Sequence, residues 1–196
     1  SMIIEDMNGM QPSAWVMWDI VDFHKDSKFV DPTSGNKTEA NNSLAYTGSV
    51  WGVGMADHDN EELVLTNKYY AYGQFTKYIN PGDTIIASSA NTLAAYNKNT
   101  GDIKIVANNG ANDVNYVFDL SGFNTVGTNV REIRTDMAGK EKWAEIKDGA
   151  VLDGKTLTTT LKANTVTTYL IETGAKVTSF EPTSTGLKYS YTPSET

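Results

Sequence analysis

Two acidic groups and a set of tryptophans hold most of the chemistry this sequence could perform. Asp19 and Asp22 follow the apolar run Ala14-Trp15-Val16-Met17-Trp18. As carboxylates they accept hydrogen bonds, either from the hydroxyls of a ligand or from water around a solvated loop. Asp57-His58-Asp59-Asn60-Glu61-Glu62 gathers enough oxygen and nitrogen to hold a cation, but it lacks the Gly-centred spacing of an EF-hand loop, so no metal is assigned to it. His24 and His58 are the two histidines, and their positions define no Ser-His-Asp arrangement. Cysteine is absent, which removes thiolate and disulfide chemistry and leaves the redox compartment open. Gly52 and Gly54 belong to no strand-to-helix phosphate loop and serve backbone geometry. Nothing in the sequence calls for a cofactor.

The elements that must position these residues can be read from the hydrophobic pattern. Residues 14–21 form an almost unbroken apolar run rich in β-formers, which predicts a strand covered on both faces, as parallel strands in α/β architectures are. Trp18 lies at the end of that strand; Trp15 falls on its opposite face and reads as core. From Asp22 to Val50 the composition turns polar, with Asp31-Pro32 and Ser34-Gly35-Asn36 as turn signals, and predicts a long loop. Asn36-Lys37-Thr38 and Asn41-Asn42-Ser43 fit the N-glycosylation pattern and mark loop surface. Trp51-Gly52-Val53-Gly54-Met55 is a short apolar island. A helix follows, capped by Thr66 or Asn67 and closed by Asn80-Pro81-Gly82, with Tyr69, Tyr72, Phe75, Thr76 and Ile79 on one stripe and Tyr70, Gln74, Lys77 and Tyr78 opposite. Strand, long loop and helix make one βα unit.

After Pro81 short β-branched runs recur every ten or so positions between turn residues, the pattern of an all-β sandwich or barrel. Strands are predicted at 84–88, 92–97, 103–108, 115–120, 130–135, 142–146, 156–161 and 166–172. Asn99-Thr100-Gly101-Asp102, Asn108-Asn109-Gly110 and Asp153-Gly154 supply turns. Thr165, Thr167, Tyr169 and Ile171 alternate with Val166, Thr168 and Leu170, and neither set is clearly polar. From Thr178 onward Ser, Thr, Pro and Gly dominate, which reads as a linker or tail.

The formal charge of −8 and the scatter of the 16 Lys and Arg exclude a nucleic-acid-binding surface. No apolar run reaches the length of a membrane span, and no charged-then-apolar leader is visible at the N-terminus. Ser1-Met2 looks like the remnant of an expression tag, and Ile3-Ile4-Glu5-Asp6-Met7 is helix-like without a cap, so an excised fragment is expected.

Trp51-Gly52-Val53-Gly54, the run from Lys68 through Tyr69-Tyr70-Ala71-Tyr72-Gly73-Gln74-Phe75 to Ile79, and Pro81-Gly82-Asp83 resemble the C-terminal part of glycoside hydrolase family 30. That family includes β-1,6-galactanases, glucosylceramidases and xylanases. Upstream, Ser13-Ala14-Trp15-Val16-Met17-Trp18 resembles its last barrel strand; downstream, Leu161-Lys162-Ala163-Asn164-Thr165-Val166-Thr167-Thr168-Tyr169 resembles the closing strand of its side domain. The resemblance implies a mainly β fold: an antiparallel β-sandwich side domain at 81–177, preceded at 1–80 by the last strand-loop-helix unit of a TIM barrel and followed at 178–196 by the tail.

The implied activity is retaining hydrolysis of a β-1,6-galactan-like polysaccharide, which needs two carboxyls about 5 Å apart across the sugar. Both would lie on barrel strands upstream of Ser1, so no catalytic residue is assigned, and the chain alone is expected to be inactive. Substrate contact is carried onto Trp18, stacking on a pyranose at the floor of the subsite, and onto Asp19, Asp22 and Trp51. The expected partners are a polysaccharide or oligosaccharide and the missing barrel, with no nucleic acid and no membrane. The expected setting is a secreted or cell-surface enzyme of a bacterium. In the family the sandwich also takes strands from before the barrel, so an open sheet edge, and a homodimer through it or through the bare strand, is expected. An autonomous carbohydrate-binding module is the alternative; an Ig-like spacer would leave the 14–21 strand unexplained.

Overall fold

The structure, a computed structural model, describes residues 1–18, 20–25, 52–57, 61–172, 176–183 and 186–192, with the side chains of 22–25, 55, 57, 62, 64, 176–183 and 186–192 outside that description. In chain order the elements are α1 (Met2–Gly9), β1 (Val21–Lys25), β2 (Gly54–Asp57), β3 (Glu62–Leu65), α2 (Asn67–Thr76), β4 (Thr84–Ile86), β5 (Thr92–Tyr96), β6 (Ile103–Asn109), β7 (Val114–Asp119), β8 (Asn129–Asp136), β9 (Ala144–Ile146), β10 (Ala150–Asp153), β11 (Thr156–Leu161), β12 (Thr165–Glu172), β13 (Lys176–Thr183) and β14 (Gly186–Thr192). The fold is mainly β, and its sheets are antiparallel apart from one parallel pairing, β1 with β2.

A six-stranded sheet in the order β4-β5-β6-β12-β8-β9 dominates, and β10-β11-β7 form a three-stranded sheet. Both faces of the large sheet are covered. On one face Ala94, Ile103, Ile105, Tyr169 and Ile171 meet Phe118, Leu157 and Leu161 of the small sheet in a single core. On the other, Leu93 and Val106 pack with Ile4 of α1 and Phe75 of α2. Double coverage explains the even polarity of 165–171: the odd-numbered residues face the small sheet and the even-numbered ones the helix layer, so neither set is selected for water.

All eight strands expected after Pro81 form, with boundaries shifted by a few residues. One more, β10, pairs with β11 through the turn at Gly154, whose φ of 55° suits glycine. Other expectations need correction. The segment read as an irregular tail contains the antiparallel hairpin β13-β14. The polar stretch before α2 contains a hairpin, β2-β3, turning at Glu61 with φ 55°. The strand expected over 14–21 begins only at Val21; residues 14–18 run without strand pairing.

The buried stripe of α2 is also rotated from the one expected. Phe75 is buried, but Gln74 is at 0% exposure while Thr76 is exposed. Gln74 turns inward because the large sheet offers it partners: its Nε2 donates to Thr135 Oγ1 at 2.8 Å, and Thr168 Oγ1 donates to its Oε1 at 2.6 Å. A fully paired amide is tolerated in a core. Thr66 is the N-cap as expected, yet its hydroxyl donates to the Val53 carbonyl at 2.8 Å and ties the helix start to the strand layer rather than to its own first turn.

Candidate functional site

Of the four residues expected to touch substrate, Trp18 alone has a described side chain. Asp19 and Trp51 lie outside the described residues; Asp22 is in β1, its side chain outside the description. Trp18 is 79% exposed, and Val16 and Ile20 are 86% and 73% exposed. Trp15 and Met17 are half-buried. The Trp15 indole N–H donates to Asp6 Oδ2 at 2.9 Å, and its ring lies 6.0 Å from that of Tyr72. Trp15 is therefore braced between α1 and α2 at the edge of the molecule rather than held in the core.

Beside this segment runs an apolar groove of ≈ 480 Å³ lined by Ile20, Val53, Tyr69, Tyr72, Thr76 and Trp143 among others. Trp143 had no sequence signal of its own, sitting just ahead of the short strand β9. Its backbone has φ 55°, its indole N–H donates to the Tyr70 carbonyl at 2.8 Å, and its ring centroid is 5.3 Å from that of Tyr69. A Cβ on Gly73 would come within 2.2 Å of the ring. Gly73 in mid-helix was the readable clue, since glycine there costs stability unless another group approaches closely. Lys77 Nζ lies 4.4 Å from the Trp143 centroid, a cation–π contact that occupies one face of the indole.

The ionisable groups are engaged in structural roles. Burial would raise the pKa of Asp83, but the Asn80 backbone N–H, Lys104 at 2.6 Å and Asn97 at 2.9 Å outweigh it and hold the carboxyl below its usual range. Arg134 grips Glu141 with both arms of its fork, at 2.6 and 2.7 Å, which lowers the Glu141 pKa. Glu132 is pushed up by burial, opposed by Arg134, with Glu141 adding to the rise and Thr159 reducing it. Burial likewise pushes up the Tyr169 hydroxyl. Asp102 and Glu172 line a hollow of ≈ 220 Å³, smaller than the roughly 300–1,000 Å³ of ligand pockets. Among the described residues no three His, Asp or Glu are grouped to hold a metal, and no helix is long and apolar enough to cross a membrane.

No family model matches the chain. It is 25% identical over 158 residues to an endo-β-1,6-galactanase of Hypocrea rufa, an alignment covering 78% of this chain and 28% of the galactanase. Its fold aligns with a TM-score of 0.51 and 23% identity to a glycoside hydrolase family 30 subfamily 8 xylanase of Clostridium acetobutylicum, over 62% of this chain and 31% of that one. The chain thus spans less than a third of either protein's length. In sequence and in fold it is similar to the glycoside hydrolases of family 30, over what corresponds to their C-terminal portion.

Proposed function

We propose that this chain is the C-terminal region of a secreted bacterial glycosidase that cleaves a β-1,6-galactan-like polysaccharide with retention. In this reading residues 1–80 are the last βα unit of a TIM barrel, and 81–177 are a β-sandwich side domain whose task is mainly structural. The terminal residues 178–196, with their hairpin, lead onward. The galactanase match carries the proposal: 78% of the chain is too long a stretch to fit within either the first 80 residues or the sheets alone. The apolar flank supports it. Soluble monomers seldom leave a contiguous face like Val16, Trp18 and Ile20 open, and the remaining barrel strands would cover it.

With both strand-end carboxylates placed upstream of Ser1, the isolated chain is expected to be inactive. Trp18, Asp19, Asp22 and Trp51 contribute to the substrate floor only once the barrel is complete. The test is hydrolysis of β-1,6-galactan by the isolated chain and by a protein extended upstream to include two strand-end glutamates. Turnover by the extended protein alone is expected; turnover by the isolated chain would overturn the reading.

The alternative of an autonomous binding module requires a platform of exposed rings on one sheet face. Among the described side chains Trp18 is the exposed aromatic, and it lies on neither large nor small sheet. Calorimetric titration of the chain with galactan is expected to give no binding heat.

A further inference from the structure

The layer between the two sheets is apolar around Phe118 and Leu157 and polar around β8. At that polar end the Glu132 side chain is 2% exposed. Arg134 lies two residues along the same strand and so on the same face. Its Nε and Nη2 grip Glu141 at 2.6 and 2.7 Å, and only Nη1 reaches Glu132 Oε1, at a long 3.5 Å. Glu132 Oε2 has no hydrogen-bond partner among the described residues. It lies so close to Gly149 that a Cβ there would be 2.4 Å away. Gly149 belongs to the turn at 147–149 by which the chain crosses from β9 in the large sheet to β10 in the small one.

Among the described residues the surroundings offer no second cation. β11 contributes Thr159, whose hydroxyl lies 3.1 Å from that of Tyr169 on β12 and gives the Glu132 carboxylate a little support; β10 contributes Ala150 and Leu152. Lys147 and Asp148 of the turn are exposed to water. A buried carboxylate that shares its one nearby cation with a second, more tightly held carboxylate is costly when charged and far less so when neutral.

We propose that Glu132 is a proton-operated latch between the two sheets. As a neutral acid it rests against Gly149 and the crossover is closed; once ionised it draws water into the junction and loosens the turn at 147–149. The two-sheet unit is thereby tighter in mildly acidic surroundings than at neutral pH. The sign follows from linkage. The folded state keeps this proton to higher pH than the unfolded chain does, so stability falls as pH rises from the ordinary glutamate value, about 4.3, through the raised folded-state value.

The test uses the full chain, its Glu132→Gln variant and its Glu141→Gln variant, with thermal midpoints measured from about pH 5 to about pH 8. The wild-type midpoint is expected to fall by several degrees across this range, and that of Glu132→Gln to stay level near the acidic wild-type value. Glu141→Gln frees the Arg134 fork for Glu132 and moves the fall to lower pH. The difference between the wild-type and Glu132→Gln curves isolates Glu132. A carbon-detected carboxyl titration of the wild type needs no variant: Glu132 is expected to stay protonated where exposed glutamates have ionised. Parallel midpoint curves for wild type and Glu132→Gln, or a Glu132 carboxyl that titrates together with exposed glutamates, would overturn the proposal.

Discussion

In the sheets Leu157, Tyr169 and Ile171 are each at 0% exposure, whereas Val16, Trp18 and Ile20 at the front of the chain are 86%, 79% and 73% exposed. Both stretches are made of the same kinds of residue, rich in β-formers. They differ in what surrounds them. The inner strands of the large sheet have a sheet on one side and helices on the other, while Val16, Trp18 and Ile20 are covered by no described element. Hydrophobic content sets the tendency to be buried; the available partners decide whether burial happens.

The largest expected effect lies in the closed region. Leu157→Ala empties a fully buried site between the sheets and should cost about 2–5 kcal/mol in chemical denaturation. A loss below about 1 kcal/mol would mean that the sheets are not firmly packed, and the contrast between the regions would dissolve. Gly73→Ala forces a methyl into the Trp143 ring and should cost about 1–3 kcal/mol, with a shift in tryptophan fluorescence as the indole moves. Gln74→Ala removes two buried hydrogen bonds and leaves Thr168 with the residue 74 carbonyl and Thr135 with the Trp143 N–H as their remaining partners, for a loss of about 1–3 kcal/mol.

The acid side gives a smaller and oppositely signed effect to that of Glu132. Because the folded-state pKa of Asp83 is lowered, it contributes stability above the ordinary aspartate pKa, and this is lost as pH falls through the folded value. Asp83→Asn should flatten the acid limb of a midpoint-against-pH curve while leaving the neutral limb in place. Asp83 and Glu132 thus bias stability in opposite directions along the pH scale. The smallest expected change in stability comes from the open region: Trp18→Ser should stay within about 0.5 kcal/mol of wild type. Its binding of a hydrophobic dye and its concentration-dependent sedimentation should both decrease. A large destabilisation by Trp18→Ser would show that this flank is packed in solution.

Much of the β region was legible because alternation, β-branched runs and Gly-containing turns are local signals, and local pairing dominates there. β10 escaped notice because Ala150–Asp153 is short and borders a turn. The β2-β3 hairpin escaped because an acidic stretch hides its turn. The rotation of α2 was misread for another reason: helical periodicity ranks Gln74 as polar, and only Thr135 and Thr168, 61 and 94 positions away, make its burial favourable. Of the proposed substrate contacts, the sequence marked Trp18 by its place at the end of an apolar run, but its exposure depends on which strands lie beside it.

By itself the sequence determined eight of the strands after Pro81, the helix at its hinge, the absence of thiol chemistry and the likeness to family 30, all of which rest on residue type and short-range spacing. Tertiary structure alone decided that Trp143 would press on Gly73, that Gln74 would face inward, and that Glu132 would share its cation with Glu141. Those outcomes join residues far apart in the chain or competing for one guanidinium. Free energies of that kind depend on distance and exclusion from water, which appear only when the sheets close.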